Sequence, residues 1–262
     1  MPYEFLKVES RFHVTTITLN RPAVMNAINP AMHAEMQAAL DAFAADADQY
    51  IGVITGAGER AFCAGSDLKA AAQAGIAAGK YPKNGYAGLI ERYDLSKPLI
   101  AAVNGVALGG GFEIVLACDI VIAAENAEFG LPEPLVGAVA LGGGLHRLAR
   151  QIGLKQAMGM VLSAESVTAR EGERLGFVNE VVPLAELAVA ANRWCAKMLK
   201  CAPLAIRASK EAILRGLDEP SLPAALRNQN DYPAFAAWRN AEDTREGVRA
   251  FVEKRAPHWQ GK

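Results

Sequence analysis

The chain has 262 residues, 52% of them hydrophobic and 21% charged, with a formal net charge of −1. That length and apolar content suit one large domain, or a core with an appendage, around a sizeable interior. The balanced charge exerts no global pull toward nucleic acid or an anionic membrane. The opening residues Met1-Pro2-Tyr3-Glu4 lack the basic and apolar regions of a secretory leader, so a cytoplasmic protein without nucleic-acid or membrane partners is expected.

The β-branched run Val14 to Leu19 predicts a first strand, stopped by Asn20-Arg21-Pro22. Asn29 to Asp46 predicts a helix: Asn29 suits the N-cap, Pro30 the first helical position, and Met32, Met36, Leu40 and Phe43 recur at helical spacing. Ile51 to Thr55 predicts a second strand, closed by Gly56-Ala57-Gly58. The alanine, glycine and lysine content of Leu68 to Gly88 predicts a short helix and then a mobile loop with residues 80–85 at its tip. Pro98 introduces a strand over Leu99 to Asn104, a helix follows over about Gly111 to Ala117, and Asp119 to Ala123 predicts another strand. Such alternation argues an α/β fold with a mostly parallel sheet. From about Leu187 the pattern is helical and charged, which divides the chain into a core over residues 1–186 and a helical region over residues 187–262. There, Ala241 to Arg255 carries Glu242-Asp243 at its start and basic residues at its end, as a helix dipole favours.

Several chemistries find no support. Cys63, Cys118, Cys195 and Cys201 make no C-x-x-C pair and read as reduced thiols, and His13, His33, His146 and His258 are scattered, so no metal site is expected. The apolar stretch Leu99 to Ala124 is interrupted by Asn104, Glu113 and Asp119 and reads as buried core. Gly56-Ala57-Gly58-Glu59-Arg60-Ala61 lacks the third glycine of a dinucleotide fingerprint, and no redox cofactor is expected.

Three signals carry chemistry. Gly109-Gly110-Gly111 lies between a strand and a helix, where unpaired N–H groups and the positive end of the dipole can face a developing oxyanion. The small-residue turn within Phe62-Cys63-Ala64-Gly65-Ser66-Asp67-Leu68 can present a second donor, the N–H of Ser66. Glu113 and Glu133 lie outside solvated charge runs, and two carboxyls in apolar surroundings suit one group that accepts a proton and one that delivers it. Each signal alone also fits an ordinary turn, or a capping and an exposed glutamate.

Together and in this order they resemble the crotonase family, the enoyl-CoA hydratase/isomerase superfamily. The resemblance runs from Leu19-Asn20-Arg21-Pro22 and Asn26-Ala27-Ile28, through Ala107-Leu108-Gly109-Gly110-Gly111-Phe112-Glu113 and Pro132-Glu133, to Ala250-Phe251-Val252-Glu253-Lys254-Arg255. Within the family, Asp67-Leu68-Lys69-Ala70-Ala71-Ala72 and the pieces around Glu242-Asp243, Pro257 and Trp259 look especially similar to carnitinyl-CoA dehydratases. The resemblance implies a spiral of ββα units with a helical C-terminal trimerisation region, giving trimers or hexamers. It implies a hydro-lyase that adds water to a 2-enoyl-CoA, with dehydration, double-bond isomerisation or carbon–carbon cleavage as alternative reactions. A non-catalytic RNA-binding relative is the alternative from another class.

By the same resemblance Glu113 and Glu133 are catalytic and the N–H groups of Ser66 and Gly110 form the oxyanion hole. Asn26, Ala27, Ile28, Ala64, Gly65, Asp67, Leu68, Lys69 and Gly109 line the path of coenzyme A, which enters as part of the substrate. Lys69, Lys254 and Lys262 are candidates to meet its phosphates. Three departures stand out: Leu131-Pro132-Glu133 where Gln-Pro-Glu is usual, Ala140-Leu141 where Pro-Gly is usual, and Trp259-Gln260 where some members carry Phe-Lys.

Overall fold

The computed structural model describes residues 3–73 and 81–262. A hairpin opens the chain: β1 (Leu6–Arg11) pairs antiparallel with β2 (Val14–Leu19) across a turn in which Phe12 and His13 are left-handed. β1 was not evident from the sequence, because Lys7, Glu9 and Arg11 break its apolar content; as an edge strand it shows water one face. Helix α1 (Pro30–Ala45) follows, and the Asn29 side chain accepts from the Met32 N–H as an N-cap does.

The chain then winds through a repeating unit in which one strand joins a large sheet and the next joins a small one. β3 (Ile51–Gly56) leads to β4 (Ala61–Cys63), and α2 (Leu68–Gln73) follows. β5 (Leu99–Val103) leads to β6 (Val106–Leu108) and helix α3 (Gly110–Leu116); β7 (Ile120–Ala124) leads to β8 (Glu128–Gly130). Helices α4 (Gly144–Gln151) and α5 (Leu154–Ser163), strand β9 (Val167–Thr168), helix α6 (Ala169–Leu175) and strand β10 (Glu180–Val182) complete this part. The large sheet has the order β1-β2-β3-β5-β7-β10, parallel beyond β2, and the small sheet the order β4-β6-β8-β9. This is the expected crotonase-like spiral. The two- and three-residue strands of the small sheet are too short to show a period in sequence.

Both faces of the large sheet are covered, which explains its continuous apolar strands. Ile54, Ala101, Val103, Val121 and Ala123 pack toward α1 and α3; the alternate residues Val53, Ile100, Ala102, Ile122 and Ala124 pack against Leu187, Ala190, Ala191 and Cys195 of α7 (Leu187–Leu199). Helices α8 (Pro203–Gly216), α9 (Leu222–Asn228), α10 (Pro233–Arg239) and α11 (Glu242–Glu253) follow. Asp243 does more than complement the α11 dipole: it is buried and accepts the N–H groups of Gln260 and Gly261, folding the last residues back onto the helix.

One expectation is corrected. Residues 84–90 are not a loop tip but a buried turn against α1. Gln37 and Asn84 exchange two hydrogen bonds, and the Ala87 N–H donates to His33 Nδ1 at 3.0 Å. The aromatic rings of Tyr81 and Tyr86, packed on His33, supply the apolar area that holds the turn down. The rest of the expected loop, 74–80, lies outside the described residues.

Candidate active site

Two buried asparagines position the first turn. Asn26 donates to the carbonyls of Ala57 and Ala61, and Asn104 donates to those of Gly58 and Ala61 while accepting from the Gly56 N–H. They fix the β3–β4 connection and so aim the residues after Cys63. There, the N–H of Ala64 donates to Met25, that of Gly65 to the Cys63 sulfur, and that of Asp67 to Ile28. Between them, the N–H of Ser66 has no protein partner among the described residues. Buried N–H groups are almost always paired, so a free one on an exposed residue is available to a ligand.

The second turn lies against the first. Gly109 has φ of 52° and ψ of −125°, and a Cβ there would lie 2.8 Å from Glu133 Oε1. Its own N–H donates to Gly130. The next N–H, on Gly110, starts α3 and has no protein partner among the described residues. A Cβ on Gly65 would lie 3.3 Å from the Gly110 nitrogen, so the two glycine turns touch. Neither could carry a side chain at that approach.

Glu113 lies one turn into α3 and is 3% exposed. Its Oε1 accepts from the Gly144 N–H at 2.9 Å, and its carboxylate presses against the α carbon of Gly142. Burial, reinforced by the negative charge of Glu133, pushes its pKa up to about 7, against the pull of the Gly144 and Gly142 N–H groups and of Arg147. Leu131, buried beside Gly144, offers no hydrogen bond, so the departure at this position keeps the surroundings dry. Glu133 opens a short 3-10 turn, Glu133–Val136, after β8; burial raises its pKa too, and its Oε2 is buried without a partner. An orphaned acceptor beside a second carboxylate is a place for water or a substrate proton.

The other predicted residues divide. Ala64, Gly65 and Gly109 form the touching turns, and Ile28 bridges to Ser66 as a short parallel pairing. Ala27 is buried and its carbonyl accepts from Arg21. The Asn26 side chain is spent on the fold. Asp67 caps α2 through the Ala70 N–H and pairs with Arg21 at 3.0 Å; those partners hold its carboxyl below the usual range. Leu68 and Lys69 are exposed beside this turn. Lys254 and Lys262 lie at opposite ends of α11, roughly 18 Å apart along its axis, so they do not form one phosphate grip within a chain.

The sequence contains further signals of the site. Leu-Gly-Gly-Gly occurs twice, at 108–111 and at 141–144, and the second triplet cradles Glu113. Tyr86, against Ser66 and Gly110, lies in the segment whose alanine, glycine and lysine content predicts a loop. Among the described residues no group of three or more His, Cys, Asp or Glu could hold a metal ion, and no helix is long and apolar enough to cross a membrane.

The sequence profile of the enoyl-CoA hydratase/isomerase family matches residues 9–262. The chain belongs to this family. It is 39% identical over 259 residues to a carnitinyl-CoA dehydratase of Proteus mirabilis, covering 98% of each chain. It is 41% identical over 258 residues to a 2,3-dehydroadipyl-CoA hydratase of Escherichia coli K12, covering 98% of this chain and 99% of the other. The crystal structure of an enoyl-CoA hydratase from Mycobacterium tuberculosis H37Rv superposes with a TM-score of 0.91 at 36% identity, covering 98% of this chain and 99% of that one. The chain is therefore a hydro-lyase of the enoyl-CoA hydratase type, with the crotonase fold.

Proposed function

We propose that the enzyme adds water reversibly across the 2,3 double bond of a 2-enoyl-CoA thioester, giving a 3-hydroxyacyl-CoA. The observation that carries this reading is the pair of neighbouring carboxylates, buried Glu113 and half-buried Glu133, both raised by desolvation, beside the two free N–H groups. The thioester oxygen docks between the N–H groups of Ser66 and Gly110. Ionised Glu113 takes a proton from water as its oxygen bonds to Cβ. The π electrons move through Cα to the thioester oxygen, where the two donors stabilise the enolate. Protonated Glu133 then delivers its proton to Cα as the carbonyl re-forms, and exchange with solvent resets both carboxyls. Coenzyme A is part of the substrate, its pantetheine and nucleotide passing Ala27, Ile28 and the turn from Ala64 to Lys69, and no metal or redox cofactor takes part.

The same site run backwards is a dehydratase. The likeness to proteins named for carnitinyl-CoA and 2,3-dehydroadipyl-CoA favours an acyl group with a polar or charged end. Hydration of crotonyl-CoA and of a panel of functionalised enoyl-CoAs, followed by loss of the conjugated-thioester absorbance, tests the proposal. Because Glu113 acts ionised, kcat/KM is expected to rise with pH through about 7. A positional isomer or a cleaved acyl chain as the product, or salt-dependent RNA binding without acyl-CoA turnover, would sink the hydratase reading.

We also propose that the enzyme is a cytoplasmic trimer or hexamer assembled through residues 187–262. Leu217 and Leu222 are each 72% exposed and Phe251 85% exposed on this region, an apolar display that a lone soluble chain rarely carries. Deletion from Cys201 onward is expected to give aggregates or unstable monomers by light scattering. A soluble, monomeric, fully active truncated chain would refute this.

A further inference from the structure

Tyr86 is buried where the two glycine turns meet, and no step of the hydration passes through it. It is 2% exposed. The tip of its ring lies so close to the α carbon of Gly110 that a Cβ there would overlap ring and hydroxyl. The Ser66 hydroxyl donates to its phenol oxygen at 3.2 Å. One side chain thus touches both residues whose N–H groups are free.

The ring is also held from behind. His33 packs edge-on with centroids 4.6 Å apart, and Tyr81 packs edge-on at 5.4 Å. The backbone around Tyr86 is left-handed at Gly85, Ala87 and Gly88, and Gly88 is pressed against the backbone of Gln37 in α1. A left-handed alanine persists only where its surroundings over-determine it; here the Ala87 N–H is fixed on His33 Nδ1. That bond requires an unprotonated Nδ1, and burial pushes the His33 pKa down to about 4, so the support behind Tyr86 stays neutral at physiological pH.

We propose that Tyr86 is a positioning residue that sets the spacing and aim of the Ser66 and Gly110 donors, its ring acting as a spacer behind Gly110 and its phenol oxygen as the anchor for Ser66. This rests on the thioester oxygen docking between those donors. Donors serve a developing oxyanion best when they need not reorganise. Most of the binding energy of an acyl-CoA comes from the nucleotide and pantetheine, remote from this pair. Loosening Ser66 therefore weakens the transition state more than the ground state.

The test uses Tyr86→Phe, Ser66→Ala and the double variant. Tyr86→Phe keeps the spacer and removes only the anchor oxygen; Ser66→Ala keeps the N–H and removes only the hydroxyl. Two readouts apply: kinetics with crotonyl-CoA, and the absorbance of a bound enoyl-CoA conjugated to an electron-donating aryl ring, whose band moves to longer wavelength as its carbonyl is polarised. Each single variant is expected to lower kcat by about 3- to 10-fold, the range of one net hydrogen bond, with KM within about twofold and a smaller red shift than the wild type. The double variant is expected to be no worse than the poorer single one, because both remove one shared bond. Wild-type kcat and red shift in Tyr86→Phe, or fully additive losses in the double variant, would overturn the proposal. A wild-type enzyme that gives no red shift would remove the docking site and the proposal with it. A red shift without hydration would count against the hydratase reading alone, and the red shifts of the variants would still decide the role of Tyr86.

Discussion

Glu113→Gln is expected to lower kcat for hydration by about 10²-fold or more, the scale of general acid–base catalysis, while stabilising the fold at pH 8. Glutamine keeps the volume and one acceptor for the Gly144 N–H, but it cannot take a proton from water. The stability gain follows from the pKa. Folding raises the Glu113 carboxyl from an ordinary 4.5 to about 7, so the fold favours its protonated form. Stability is intact below the unfolded value and is lost as pH rises from about 4.5 through about 7. The gap corresponds to about 3 kcal/mol at pH 8. The glutamine recovers part of it, since its amide group faces the N–H of Gly142 poorly. Thermal unfolding at pH 8 should therefore show the variant melting roughly 2–5 °C higher, and at pH 4 the difference should nearly vanish. An equal shift at both pH values would show that ionisation of Glu113 is not what the fold resists.

Buried Glu113 and the turn that carries Gly110 were legible in sequence because their context is local. An acidic residue inside Phe112 to Cys118, just after three glycines, has few structural uses. Asn29 with Pro30 and the apolar spacing from Met32 to Phe43 placed α1 for the same reason. What the sequence did not show depends on long-range pairing. The small sheet consists of strands too short to carry a period. Tyr86 gains its position from His33, more than fifty residues earlier, and from the close approach of Gly88 to Gln37. Asp67 and Asn26 were legible as members of the site's sequence motifs, yet their side chains are held by Arg21, by the Ala70 N–H and by the β3–β4 connection. A motif marks where a residue belongs; only the folded chain shows which of its atoms remain free for a ligand. The second glycine triplet, at 142–144, was readable as a pattern, but its meaning required knowing that the Glu113 carboxylate reaches it.

Glu133→Gln is expected to cost about 10²-fold or more in kcat as well, and the double variant with Glu113→Gln should be little worse than the poorer single one, because groups acting on one water do not add. The two variants should differ in a partial reaction. If Glu133 handles the proton at Cα, Glu133→Gln loses exchange of that proton with D₂O in a saturated acyl-CoA, while Glu113→Gln keeps more of it. Exchange lost only with Glu113 would invert the assignment, and near wild-type hydration by either variant would remove that glutamate from the mechanism. The electrostatics supply an independent check. Part of the elevation of Glu113 comes from the charge of Glu133, and the larger part from burial. A midpoint for the remaining activity of Glu133→Gln that falls below the wild type's, yet stays above an ordinary carboxyl value, would mean that Glu133 is charged when Glu113 titrates and holds no proton for Cα. The expected result is a midpoint unchanged from the wild type, because delivery to Cα requires Glu133 to be neutral already when Glu113 titrates, and burial raises the Glu133 carboxyl in that direction.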